Sequence, residues 1–391
     1  MNKSICLCFQ VHQPYRLRTY RFFDIGKRHF YYDEYNNRTV IQRVSERCYL
    51  PMNELIMDMI ARYGDKVKFA FSFSGSVIEQ LDLYAPSTLD SFKNILKSGN
   101  VELLAETYGH SLASLANKDA FKKEVLAHKR LMREVFGMTP KTFHNTELIY
   151  SNDIGADVAE MGYDLIFTEG AKHVLGWRSP NYMYFNAKNP KLKVLLRNDR
   201  LSDDIALNFT SSPITAQDYA LKIKDFPETE EIVNIFVNYE TFGECYAAET
   251  GIFDFMRYLP QAVFDNTDCN FIMPHQAVKL MQPMGVFDAP IPLSCCDEER
   301  DLSPWIGNSM QDDAFNTLYD CYNMVKRIKN EEIIRDWHAL QDSSIFRDLC
   351  TKYDDNTPYD TYINYMNILT DFKLRLESEL HNNKTKKIVK Q

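Results

Sequence analysis

Apolar runs of strand length and amphipathic runs of helix length alternate about seven times over roughly the first 280 residues, and no other feature constrains the fold as much. The strand candidates are Ile5–Val11, Lys66–Ser74, Val101–Ala105, a strand beginning at Lys141–Phe143, Leu165–Thr168, Lys193–Leu196, the apolar run from Ile232 to Val237, and a last one near Asn270–Met273. Between them a 3.6-residue period predicts helices over Ser45–Tyr63, Ser87–Lys97, Lys118–Phe136, Ile154–Met161, Ala216–Lys224 and Ile252–Phe264. Pro14 stops the first strand, a Ser cap follows Pro86, and Gly99 and Gly137 close two helices. The aromatic and charged stretch after the first strand, with Phe22, Phe23, Phe30, Tyr31, Tyr32 and Tyr35, reads as a long loop.

This order of elements is the pattern of parallel β/α architecture, in which loops at the C-terminal strand ends converge on one cavity. Here the polar clusters repeatedly follow the strands. His12, Glu106, His110, Glu147, Asn238 and Glu240 are all expected to face that cavity. Asn238 and Glu240 are two apart, so an extended backbone through both puts them on one face, with Tyr239 opposite. A lone strand end that turns polar marks only its loop; several ends converging on one chemical type mark a site.

After Pro292 the pattern changes to long helical repeats, Asp312–Asn330 and Asp360–His381, which predict a helical bundle beside the barrel. The expected division is a barrel over 1–292, a helical region over 293–383, and a disordered basic tail over 384–391 containing Lys384, Lys386, Lys387 and Lys390. In the joining segment, Trp305 and Asn308 suit sugar stacking or an interdomain plug.

A net charge of -9 argues against nucleic acid or an anionic membrane as the main partner. The nine cysteines follow no metal-ligand spacing, and reduced thiols in a cytoplasm account for them. The apolar run at the N-terminus is too short for a signal sequence, and no segment approaches the roughly 20 apolar residues of a membrane helix. A soluble cytoplasmic protein is expected, with its oligomeric state open.

Carboxylates on separate strand ends, with aromatic and amide side chains nearby, suggest glycoside chemistry, for which a retaining enzyme needs a nucleophile and an acid/base about 5 to 5.5 Å apart. The segments His12-Gln13-Pro14, GNVELLAETY from Gly99 to Tyr108 with His110, FHNTELIY from Phe143 to Tyr150, LSDDI from Leu201 to Ile205, YETFG from Tyr239 to Gly243, and WIGN from Trp305 to Asn308 resemble, in order, the signature regions of glycoside hydrolase family 57, nearest its α-amylase branch. The resemblance runs from about residue 5 to residue 311. It implies a (β/α)7 barrel, an incomplete TIM-type barrel, followed by a C-terminal α-helical bundle. It also implies retaining hydrolysis or transfer on α-glucans such as starch, glycogen or maltooligosaccharides, without cofactor or metal.

By that resemblance Glu147 matches the nucleophile, and His12, Gln13, Glu106, His110, Asp203, Trp305 and Asn308 match substrate-binding positions. One position departs. The family carries its acid/base Asp two residues before the Glu of the YETFG-like motif, and here that position is Asn238. An amide neither donates a proton to a leaving oxygen nor activates water. Glu240 is the nearest candidate substitute. Two functions therefore compete: a hydrolase or transferase, and a glucan-binding relative that has lost the chemistry. A deacetylase-like zinc enzyme is a weaker third, since the spacing matches no zinc motif.

Overall fold

The computed structural model describes residues 3–354 and 357–388. Seven strands close a parallel barrel: β1 Ser4–Val11, β2 Phe69–Phe73, β3 Val101–Ala105, β4 Thr142–His144, β5 Leu165–Glu169, β6 Lys193–Arg197 and β7 Ile232–Asn238. Strands consecutive in this order are neighbours, and β7 returns to β1 along a register running from Ser4↔Ile232 to Gln10↔Asn238. The seam between β6 and β7 is thin, with the single register pair Arg197↔Asn234. Side chains reinforce it: Arg197 Nε donates to the Phe236 carbonyl and Asn234 Nδ2 to that of Leu196, both at 2.9 Å. The strand expected at Asn270–Met273 pairs only through Asn270–Phe271, against the start of β1.

Period-two alternation decides which side chains fill the barrel. Cys6, Cys8, Ala70, Leu104, Phe167, Leu195 and Phe236 form the interior, floored by Ile272, Ala277 and Met281 around the helix Pro274–Leu280. Leu7, Phe9, Val11, Phe71, Leu103, Ile235 and Val237 face outward into the helical layer. Burying each of these larger side chains contributes roughly 1.5–3 kcal/mol. Asn238 is in phase with Phe236, so it continues the interior face at the barrel mouth.

Several helices differ from expectation. The stretch read as a loop contains the helix Glu34–Val44, capped by Asp33, which continues through a π turn, Ser45–Tyr49, into Leu50–Tyr63. The helix Pro86–Lys97 begins on Pro86 itself, whose missing N–H is no loss there, so Ser87 is not its cap. The helix Gly75–Tyr84 starts directly after β2 with Ser74 as cap, and a Cβ on Gly75 would lie 2.5 Å from the Tyr108 ring. The expected Asp312–Asn330 helix divides into Ser309–Asp320 and Tyr322–Val325, with Glu331–Leu340 and Ser343–Asp348 following. The last helix, Pro358–Ile388, carries helical backbone into the segment expected to be a tail; residues 389–391 lie outside the described ones. Trp337, Phe346, Tyr365 and Phe372 share one apolar cluster with Phe143 and Ile166 of the barrel. The helical region therefore packs continuously against the β4–β5 side.

Candidate active site

Directly after β4 the chain makes a tight turn, Thr146–Leu148, in which both Glu147 and Leu148 have φ of 53°. Left-handed backbone at a non-glycine residue costs on the order of 1–3 kcal/mol and persists only where the surroundings enforce it. They do so here. Asn145 Nδ2 donates to the Ile149 carbonyl at 3.0 Å, Thr146 Oγ1 to that of Ser111 at 2.8 Å, and Cys295 N to that of Glu147 at 3.0 Å. The Glu147 side chain is thereby presented at the mouth, 28% exposed.

A third left-handed residue, His110 at φ 50°, stands beside it. Its Nδ1 is 2.9 Å from Glu106 Oε2 and its Nε2 is 3.5 Å from Glu147 Oε1, while the Gln10 amide lies 3.0 Å from Nδ1. Burial alone would lower the imidazole's pKa, but hydrogen bonds and charge from the two carboxylates raise it to about 10. Burial opposes ionisation of Glu106, yet the His110 hydrogen bond and the charges of His144, His110 and His128 bring it down to about 2. Glu147 is shifted the same way: burial raises it, and the His110 bond and charge overcome that to hold it below the usual carboxylate range. A buried imidazolium thus keeps the half-buried carboxylate ionised, the state a nucleophile requires.

His12, at the end of β1, stacks on His110 with ring centroids 4.2 Å apart. Its Nδ1 lies 2.8 Å from Ser74 Oγ and its Nε2 3.3 Å from Asp342 Oδ2. Asp342 escapes sequence reasoning altogether. It is fully buried, pairs as an isolated bridge with Ser111, and caps the Ser343–Asp348 helix, while Ser343 N donates to the His110 carbonyl at 3.0 Å. One sequence signal was available, an Asp two residues before Ser344 at a helix start, but that pattern marks a cap and not a site. Glu124, also buried, ties the two regions together: it accepts from Gly109 N at 2.9 Å, from Gln341 Nε2 at 3.0 Å, and bonds His338.

Asn238 ends β7 exposed, opposite Gln10 in register. A register pair and two side-chain contacts separate it from the carboxylate: Asn238 lies opposite Gln10 on the neighbouring strand, Gln10 reaches His110, and His110 reaches Glu147. Glu240 does not share its face, because the chain turns into a 3-10 helix at Tyr239–Thr241 and the extended backbone assumed for that pairing ends at Asn238. The Glu240 carboxylate is buried against the wall, bonded by the Tyr49 hydroxyl from the π turn and by His12 N at 3.3 Å. Burial raises its pKa above the ordinary value.

The remaining expected substrate contacts sit as follows. Gln13 is buried, its Oε1 accepting from Arg16 at 3.0 Å. Asp203 bridges Arg197 at 2.5 Å and Arg300 at 2.9 Å, with Glu169 also on Arg197 at 3.0 Å. That network clamps the tops of β5 and β6. Trp305 is completely buried in the helical core, so its ring offers no face to a sugar in this conformation and matches the plug alternative. Asn308 uses its oxygen to cap the helix Ser309–Asp320 and its Nδ2 to hold the Leu349 carbonyl at 3.0 Å. Among the described residues, no group of three or more His, Cys, Asp and Glu side chains is arranged to hold a metal ion.

A family model described as Glycosyl hydrolase family 57 matches residues 6–291. The chain is 37% identical over 404 aligned residues to a Methanocaldococcus jannaschii protein provisionally named an alpha-amylase, covering 95% of this chain and 84% of that one. The fold resembles the branching enzyme of Thermococcus kodakaraensis, with a TM-score of 0.73 at 12% identity over 96% of this chain and 90% of that one. It also resembles the alpha-amylase AmyC of Thermotoga maritima, with a TM-score of 0.66 at 10% identity over 98% and 94%. Against the 4-alpha-glucanotransferase of Thermococcus litoralis the TM-score is 0.62 at 14% identity, and 94% of this chain spans 55% of that enzyme.

Proposed function

The chain belongs to glycosyl hydrolase family 57, and on that premise we propose that it acts on α-glucans by a retaining mechanism, as a hydrolase or glucanotransferase, with Glu147 as nucleophile. The reading rests on Glu147 itself: a carboxylate on a left-handed turn at the barrel mouth, 28% exposed, with the His110 imidazolium 3.5 Å away. His12, Glu106 and His110 bind or orient the donor sugar, and Asn238 occupies the acid/base position. The neighbours' names support the substrate class, since they include an alpha-amylase, a branching enzyme and a 4-alpha-glucanotransferase.

Asn238 supports a second reading, a glucan-binding protein without turnover. General acid/base catalysis contributes typically about 10² to 10⁴ in rate, and an amide supplies none of it. The two readings separate when the purified protein is incubated with maltooligosaccharides and starch while reducing ends and chain lengths are followed. Turnover or chain redistribution supports the enzyme. Calorimetric binding without either, together with a Glu147 that glucosyl fluoride fails to label by mass, supports the binder.

A further inference from the structure

We propose that Arg300 is a positioning residue for the reaction: by holding the chain at 293–300 against the top of the barrel, it keeps Glu147 in the left-handed turn that aims its carboxylate into the mouth. The inference rests on the reading of Glu147 as nucleophile, and it assigns Asp203 to this device and not to the sugar.

Glu147 and Leu148 both have φ of 53°, a conformation that side chains beyond glycine disfavour. Asn145 and Thr146 tie the strand side of the turn. Its other side is tied by a segment from beyond the barrel. Tyr150 N donates to the Leu293 carbonyl at 3.0 Å and Leu293 N returns a bond to Tyr150 at 2.9 Å, after which Cys295 N donates to the Glu147 carbonyl at 3.0 Å. Cys295 Sγ also lies 3.8 Å from Glu147 Oε2. One residue thus meets both the backbone and the carboxylate of Glu147.

That segment has no regular structure to hold it, since no helix or strand falls between Phe287 and Ser309 among the described residues. It doubles back through Asp297 and Arg300, themselves left-handed at φ 54° and 52°, and Ser294 N donates to the Arg300 carbonyl at 3.1 Å. Arg300 fastens it to the barrel. Nη1 donates to the Cys295 carbonyl, and Nη2 to Asp203 Oδ2 at 2.9 Å. Asp203 Oδ1 accepts from Arg197 Nη2 at 2.5 Å, while Arg197 Nη1 donates to Glu169 Oε2 at 3.0 Å. Glu169 ends β5 and Arg197 ends β6, so the chain of bonds starts on two barrel strands and finishes on Glu147. A planar guanidinium fork lets one side chain serve a carbonyl and a carboxylate together. Each Asp203 oxygen is engaged by one guanidinium. Burial opposes the charge on Arg300, and Glu169 and Asp203 more than offset it, so the clamp stays ionised.

A reacting group misplaced by about 1 Å costs about 10² in rate. Arg300→Met removes the fork and still leaves Arg197 to Glu169 and Asp203. The turn then loses its brace.

The test follows labelling of Glu147 by saturating α-glucosyl fluoride, read by intact mass, beside maltoheptaose binding by calorimetry and the melting temperature. Fluoride departs without an acid, so labelling reports the nucleophile alone. Arg300→Met should lower the labelling rate constant about 10²-fold, while the final fraction labelled and the affinity for maltoheptaose change little. A purely structural role would lower the final fraction instead, and that result overturns the proposal. Asp203→Asn should slow labelling in the same direction. Arg300→Lys keeps the charge without the fork and should fall between wild type and Arg300→Met. If Arg300→Met does not fold, these two variants decide the outcome. Labelling at the wild-type rate in the folded variants overturns the proposal, as does Asp203→Asn losing affinity for maltoheptaose with labelling unchanged, which returns Asp203 to the sugar. A wild-type protein that is never labelled overturns the reading of Glu147 as nucleophile, and this inference with it.

Discussion

β4 and β7 lie on opposite sides of the seven-stranded barrel, and their C-terminal ends are built very differently. Beyond β4, Glu147 sits on a strained turn held by three side-chain and backbone bonds, with a buried imidazolium against it and a second carboxylate behind that. Beyond β7, an exposed Asn238 ends the strand, and the next carboxylate, Glu240, is turned inward to bond Tyr49. Strain and buried charge both cost stability, so a fold retains them where something else requires them. The Glu147 side has that investment and the Asn238 side lacks it. The site is half preorganised.

The largest expected effect comes from removing the organised half. Glu147→Gln should lower any glycosyl transfer by about 10⁴-fold or more and abolish labelling by glucosyl fluoride. Completing the bare half should work in the opposite direction: Asn238→Asp should raise hydrolysis of maltooligosaccharides by about 10² to 10⁴, measured as initial rates in phosphate-free buffer. An unchanged rate would mean that the two sides do not cooperate in one reaction.

His110→Gln tests whether the buried charges are linked as described. It leaves Glu106 ionised in the interior without its partner, and urea unfolding should show a loss of about 3–5 kcal/mol. The pH dependence has a defined sign. His110 is raised in the fold from 6.5 to about 10, so its contribution to stability is complete below pH 6.5 and disappears as pH rises through 10. Glu106 is lowered from 4.5 to about 2, so its contribution is complete above pH 4.5 and disappears as pH falls through 2. The melting temperature should therefore decline between pH 7 and 10, and less steeply in His110→Gln. The smallest effect is expected away from both sides: Asn308→Ala should cost about 1 kcal/mol by uncapping the Ser309–Asp320 helix, without altering sugar binding.

Much of the barrel is legible in the sequence because each strand is a short apolar run stopped by polar residues, and helices such as Lys118–Phe136 carry both an apolar stripe and a terminal glycine. Glu147 and Asn238 are legible for the same reason, as the residues that follow those runs. Glu240 was misplaced because side-chain alternation holds only while the backbone is extended, and the turn at Tyr239 is invisible in residue types. Asp342 was missed because its role exists only after the helical region folds back across the mouth onto His12 and Ser111. Trp305 reads equally as a stacking ring or an interdomain plug from sequence, because its burial is decided by helices that come later in the chain.

The contact between His12 and Asp342 joins residues near the two ends of the chain. During synthesis Glu147, His110 and the whole barrel leave the ribosome while residue 342 is still unmade, since chains emerge N-terminus first at about 5 to 20 residues per second. Until the helical region arrives, His12 lacks its carboxylate and Glu124 lacks His338 and Gln341. The nascent barrel is thus unfinished at its mouth, and the site is assembled last, when the final helices close over it.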